Sequence, residues 1–280
     1  MTKRLLNLGC GDRFHPEWEN VDYAPASAKV RAHDLRSGIP YPDGNFDVVY
    51  HSHVLEHFSR RAGVQFLREC HRVLRSGGIL RIAVPDLESI ARLYLEWLQK
   101  AQRGAAGARE NYEWMLLELY DQTVREKSCG GFVDYFWQNP FPNWEFVVSR
   151  WGSQAISFQK VFGNAPGHAE NGAGQPSIAW RYVLRNPGRV LRDKLLRFVL
   201  GEPDWLALQL GRFRRSGEVH LWMYDSFSLG ELLQLTGFAH PRRFSATESQ
   251  IPGWNGFHLD SEPDGSTYKP DSLFMEAVKP

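Results

Sequence analysis

Short strand-like runs, glycine turns and one amphipathic helix fill the first 85 residues, and their order leaves few folds open. The apolar runs at 4–8, 19–23, 29–33, 46–50 and 79–84 have strand length and are bounded by turn formers. Between the last two, Phe66, Leu67, Cys70, Val73 and Leu74 recur at helical spacing. Ser59 is placed to cap that helix and Gly77-Gly78 to stop it. A helix between two such strands implies a parallel pair, because antiparallel neighbours need only a tight turn. The expected fold class is α/β.

After Pro85 the rhythm changes. Ile90, Tyr94, Trp97 and Leu98 predict a helix over 87–100, followed by helical and loop segments to about residue 215. Trp and Phe crowd into 132–151, and Gly and Pro punctuate 163–176, a predicted loop. Alternating order resumes at Ser228-Leu-Gly-Glu231, a capping-box pattern opening a helix through Leu229, Leu232 and Leu233 that Gly237 ends. Strands at 238–244 and 272–278 close the chain. The economical reading of the 280 residues is one core, 1–85 plus 216–280, with 86–215 inserted as a mainly helical cap that binds the acceptor.

Composition excludes several functions. Thirty-three basic against 32 acidic side chains give a formal charge of +1, unlike a dedicated nucleic-acid binder that draws affinity from excess cations. No apolar run reaches about 18 residues, and Leu5-Leu6 is too short for a leader's apolar stretch. Cys10, Cys70 and Cys129 are odd in number and lack a CxxC, so neither a disulfide framework nor a metal site is expected, and a reducing cytoplasm is the expected location.

The chemistry begins at Leu5-Leu-Asn-Leu-Gly-Cys-Gly11, a strand entering a Gly-x-Gly turn where a ligand can approach the backbone. A dinucleotide fingerprint needs a third glycine at position 14, where Phe14 stands, and a helix of normal length before the next strand. A pyrophosphate would lack its helix-end site, whereas a nucleoside without phosphates needs none. This opposes a nicotinamide oxidoreductase and favours S-adenosylmethionine. Asp22, ending the second strand, can accept ribose hydroxyls or close an Asx-turn before Pro25. Asp34, before Leu35, can face an adenine amino group or serve as a turn carboxylate.

Together with 39–50 (Ile-Pro-Tyr-Pro-Asp-Gly-Asn-Phe-Asp-Val-Val-Tyr), His53-Val-Leu-Glu-His57 and Arg72-Val-Leu-Arg-Ser-Gly-Gly-Ile-Leu80, these motifs resemble the class I methyltransferases of the methyltransferase type 11 kind. The ending Ser272-Leu-Phe-Met-Glu-Ala-Val-Lys279 is similar to that family's final strand, and 217–238 resembles a subgroup associated with cell-surface glycan or secondary-metabolite pathways. The resemblance implies a Rossmann-like seven-stranded sheet with its last strand antiparallel. It also implies cofactor contacts from Asn7, Gly9, Cys10, Gly11, Asp22, Asp34 and Leu35, with His51, Ser52 and His53 beside the methionyl part. Two departures are visible. Asn7 replaces the commoner Asp of the glycine motif, and the short span from Gly11 to Asp22 demands a curtailed first helix.

Methyl transfer to a hydroxyl needs a base besides alignment. His53 and His220 are the expected candidates, approaching the methyl from opposite sides, while Glu56 and His57 are read as fixing a helix start. Residues 180–215 hold nine basic against three acidic side chains, with Leu191, Leu195, Leu196 and Val199 on one helical face. A solvated basic face is favoured there over a clasp for a phosphorylated acceptor or contact with an anionic membrane surface. The expected activity is O-methylation of a sugar, glycan precursor or small secondary metabolite. Its alternatives are N- or C-methylation and a non-catalytic cofactor-binding partner protein.

Overall fold

The computed structural model describes residues 3–25, 27–163 and 187–280. Seven strands form one sheet: β1 Leu5–Leu8, β2 Glu19–Asp22, β3 Val30–Ala32, β4 Phe46–Ser52, β5 Leu74–Pro85, β6 Ala239–Phe244 and β7 Ser272–Val278. Their order is β3-β2-β1-β4-β5-β7-β6. The first five are mutually parallel, whereas β7 runs antiparallel to both β5 and β6, so Pro85 faces Ser272 and Ile79 faces Val278. The expected seven-stranded sheet with a reversed final strand is thus present.

Side chains alternate between the two faces of each strand. Leu6, Leu8 and Val49 face one core cluster with α1 (Arg60–Val73), through Phe66, Leu67, Cys70 and Val73. Ser59 accepts from Ala62 N at 3.3 Å and caps α1 as expected. Leu5, Val48 and Tyr50 point to the opposite face and meet Trp18, Ile251, Trp254 and Leu259. A loop rather than a helix covers that face. Arg81 on β5 pins it: the guanidinium pairs with Asp260 at 2.8 Å and Glu276 at 2.7 Å, donates to the carbonyls of Ser245, Ala246 and Glu248, and stacks on Trp254.

No helix separates β1 from β2 in the structure; residues 9–18 are turns, a stronger curtailment than the sequence required. After β5 come α2 Leu87–Gln102, capped by Asp86, and α3 Ala108–Leu116, which runs into a π turn at Leu117–Asp121. Then follow α4 Gly130–Phe136, α5 Trp144–Trp151 and α6 Ser153–Phe162. These helices share their own core, built on Ile90, Trp114, Phe132, Phe136, Val147 and Trp151. The aromatic crowding at 132–151 belongs largely to it. Glu118 sits buried inside, accepting from Trp114 Nε1 at 2.6 Å and from Arg150 at 2.7 Å. Most of the predicted loop at 163–176 lies outside the described residues.

α7 Pro187–Arg214 breaks at Gly201, whose backbone is left-handed, before α8 Ser226–Leu235 rejoins the sheet. The helix expected to open at Ser228 starts earlier. Asp225 is its cap, accepting from Ser228 N at 2.7 Å, while the Ser228 hydroxyl answers Asp225 N at 3.1 Å. The box is real, but Ser228 holds its third position, because an aspartate three residues upstream is a strong acceptor for the free N–H groups of a first turn.

Candidate functional site

The carboxyl ends of β1, β2 and β4 open onto three adjoining cavities, where open α/β sheets bind ligands. The first, about 240 Å³, is lined by Gly9, Asp22, Tyr23, Asp34, Leu35, Arg36, Val54 and Phe58. A second, about 230 Å³, is lined by Asn7, Gly9 to Arg13, Ser52, Tyr268 and Lys269. The third, about 250 Å³, lies against the inserted helices, with Gln122, Arg125, Phe132, Trp151, Phe158, His220, Lys269 and Asp271 in its wall. His53 lines all three.

The glycine turn leaves β1 in left-handed backbone, φ 64° at Gly9 and 52° at Gly11. A Cβ on Gly9 would overlap Val54, while one on Gly11 would meet nothing within 4 Å, leaving an open cradle beside the cavity. Asn7 lies beneath the turn, donating to Arg13 O and Asn20 Oδ1, both at 3.2 Å. Burial pushes the Cys10 thiol up to about 12, so it stays protonated. Asp22 accepts from Gly11 N and Ala24 N, each at 2.8 Å. The second bond is the Asx-turn, and Asp22 also lines the first cavity.

Asp34 caps the turn Leu35–Ser37 and takes a forked ion pair from Arg36, 2.7 Å at the closest, which holds its carboxyl below the usual range. Leu35 lines the cavity beside it and Ser52 lines the second. His51 is the exception. Its position on β4 shares the face of Val49, so its ring packs on Phe66 of the helix side, at 5.1 Å between centroids, and lines none of the three cavities. The expectation that it flanks the cofactor is corrected by strand parity. Both ring nitrogens are buried without a partner, and burial brings the imidazole down to about 3.

At the junction of the cavities lies a buried acid among imidazoles. His53 adopts a left-handed φ of 53°, uncommon for a residue with a side chain. Its Nε2 is hydrogen-bonded to Ser272 Oγ at 2.8 Å and its Nδ1 lies 3.2 Å from Glu56 Oε1, although neither oxygen of that carboxyl has a hydrogen-bond partner; burial lowers its pKa to about 3. Glu56, in the turn Leu55–His57, is fully buried with its carboxyl raised by burial. It does more than start a helix. His220 sits 4.0 Å from Glu56 Oε1 and edge-on to His57, and burial holds it well below its usual pKa. Its Nδ1 has no partner. Glu56, His57 and His220 bring ligand-type atoms within 4.8 Å of one another, the one such trio among the described residues.

Sequence reasoning missed the far wall. Arg13 of the glycine turn lies over Tyr268 at 3.8 Å, pairs with Glu262 at 3.1 Å and donates to the carbonyls of His258 and Ser261. Lys269, shared by the second and third cavities, comes from the same late loop. Nothing local in a Tyr-Lys pair some 250 positions downstream of the turn signals that it returns there. Arg125 and Phe132 likewise reach the third cavity from helices that carry no motif.

The strand order and the reversed β7 are those of the Rossmann-like methyltransferase fold. Residues 6–82 match the family model described as a methyltransferase domain. Over 99 residues the chain is 35% identical to a Mycolicibacterium smegmatis protein named a probable S-adenosylmethionine-dependent methyltransferase, covering 29% of this chain and 38% of that one. A Mycobacterium tuberculosis protein with the same description is 44% identical over 102 residues, 30% of this chain and 36% of its own length. The match thus spans less than two fifths of either relative. A solved Thermotoga maritima structure, described as a SAM-dependent methyltransferase and possible histamine N-methyltransferase, aligns at 10% identity with a TM-score of 0.39, covering 100% of this chain and 83% of that one.

Proposed function

We propose that the chain is an S-adenosylmethionine-dependent methyltransferase acting on a hydroxyl of a small acceptor, of sugar or secondary-metabolite type. The acceptor is held in the third cavity under a cap formed by residues 86–215. The observation that carries this reading is the position of His53, which lines both cavities at the glycine turn and the cavity against the inserted helices. A ligand filling the first two would end where the third begins.

The residues suit the cofactor. The open cradle at Gly11 admits a close-packed ligand, Asp22 offers a carboxylate for ribose hydroxyls, and Leu35, Val54 and Phe58 give an apolar wall for a base. Asn7 in place of an acid leaves the orientation of the amine to neutral groups, and Lys269 is sited to face a carboxylate. When bound, the cofactor supplies an electrophilic methyl. The chain's work is then to align the acceptor oxygen, exclude water and remove its proton.

His220 is the proposed base. Its place in the wall of the third cavity supports that role, and Glu56 beside it would stabilise the imidazolium formed when the ring takes the hydroxyl proton. His53, held by Ser272 through its Nε2 and lining all three cavities, walls the cofactor side. The test is release of S-adenosylhomocysteine across a panel of sugar and phenolic acceptors, followed by single-turnover rates for variants. His220→Ala should lose about 10²- to 10⁴-fold in rate with cofactor affinity intact. Wild-type turnover in that variant removes the base from His220. Loss of turnover on adding a chelator assigns the Glu56, His57 and His220 trio to a metal instead. Cofactor binding without any release across the panel favours the non-catalytic alternative.

A further inference from the structure

The densest run of exposed apolar side chains among the described residues lies on the first half of α7. Phe198 is 88% exposed, Leu191 71%, Val199 69% and Leu195 61%. At about 100° per residue, positions 191, 195, 198 and 199 fall within one third of the helix circumference. Lys194 and Arg192 fall on either edge of that stripe, both exposed. The acid of this stretch is half-buried: Asp193 accepts from Arg212 at 3.2 Å and more loosely from Arg192 at 3.4 Å, leaving most of the Arg192 guanidinium exposed. Arg197 is paired with Glu202 across the Gly201 break at 2.8 Å. The stripe therefore presents apolar side chains bordered by two cations and no outward acid.

From this arrangement we infer that the first half of α7 lies in the headgroup region of an anionic lipid surface. The apolar stripe enters the acyl boundary, and Arg192 and Lys194 reach back to lipid phosphates, as long cationic side chains do beside an apolar face. Charge decides between this surface and a second copy of the chain. A symmetric pairing of two stripes brings like cations together, whereas anionic headgroups neutralise them. No helix among the described residues is long and apolar enough to cross a membrane, so the contact is peripheral. It also reaches the site. The far end of α7 is tied to the cavity rim through Arg214 to Thr123 O and Arg36 to Arg215 O, both 3.2 Å, and Ser216 and Gly217 line the first cavity. A docked helix would set that rim toward the lipid.

Flotation of the full chain with vesicles tests this without cofactor or acceptor, so its outcome is separate from that of the proposed activity. The chain should float with mixed phosphatidylglycerol and phosphatidylcholine vesicles, weakly with phosphatidylcholine alone, and less as salt rises. Phe198→Ser should lower partitioning by about tenfold or more, because an aromatic ring loses its burial. The double variant R192E and K194E should abolish the preference for anionic vesicles. All three substitutions lie on exposed positions, and circular dichroism should show the wild-type fold. No flotation, flotation equal on both vesicle types, or a dimer in light scattering that Phe198→Ser dissociates would each overturn the inference.

Discussion

At Asp22 the oxygens already accept from Gly11 N and Ala24 N, and the residue also lines the first cavity, where the proposed ligand role falls. Asp22→Ala should weaken S-adenosylhomocysteine binding by about 1.5–3 kcal/mol, the range for hydrogen bonds to a charged group, as read by calorimetry. Unchanged affinity in a folded variant leaves only the turn role. His51 makes a different case, since its ring meets no partner and burial alone sets its pKa at about 3. Above the unfolded value near 6.5 both states are neutral and stability is intact. As pH falls below 6.5 the unfolded chain takes up a proton that the folded ring refuses until about 3, so stability drops through that window. His51→Leu removes this contribution. Between pH 7 and 5 the wild type should lose about 2 kcal/mol more than the variant in urea unfolding, other groups cancelling in the comparison. Parallel losses would show that the ring is not the proton-refusing group. The cavity-lining residues near β1 were legible because glycine turns and strand-end acids are local signals. His51 was misplaced because a motif gives a neighbourhood, whereas parity along β4 decides the face.

Among elements, the strands and α1 were readable from periodicity, and the second core from its crowd of aromatic residues. The π turn at Leu117–Asp121 was not, because Glu118 acquires its ion partner Arg150 only once a second helix packs against it. The loop over the second face of the sheet was equally silent. Its hold is polar and long-range: Arg81 to Asp260, Glu276 and three carbonyls, with Tyr50 Oη also donating to Asp260 at 2.6 Å. Arg81→Met would leave two buried carboxylates without their counter-charge and three carbonyls without this donor, while keeping much of the side-chain volume. The expected cost is about 3–5 kcal/mol in denaturant unfolding, the range for breaking a buried pair from one side. A loss under 1 kcal/mol would mean that the apolar contacts of Trp254 and Leu259 hold the loop unaided.

On the scale of the whole molecule, the second cavity is built from two ends of the sequence. Gly9 to Arg13 supply one wall, Leu259, Tyr268 and Lys269 the other, and Arg13 joins them by stacking on Tyr268 and pairing with Glu262. A ligand in that cavity therefore spans β1, at one extreme of the chain, and the loop that Arg81 fixes to β5, at the other. Binding to the folded state alone stabilises it by mass action, about 2.7 kcal/mol when the ligand stands at a hundred times its dissociation constant. For a chain of this size that corresponds to a rise in Tm on the order of 5–10 °C. S-adenosylhomocysteine should produce that rise and NAD should not, because the turn lacks a third glycine and a helix end for a pyrophosphate. The two walls also predict where protection appears. In native-state hydrogen exchange, amides of 9–13 and of 259–269 should slow together on adding S-adenosylhomocysteine, since opening either wall releases the same ligand. Protection confined to the glycine turn would mean that the ligand occupies only the first cavity, leaving Lys269 to the acceptor side, and a rise in Tm with NAD but not with S-adenosylhomocysteine would overturn the cofactor assignment itself.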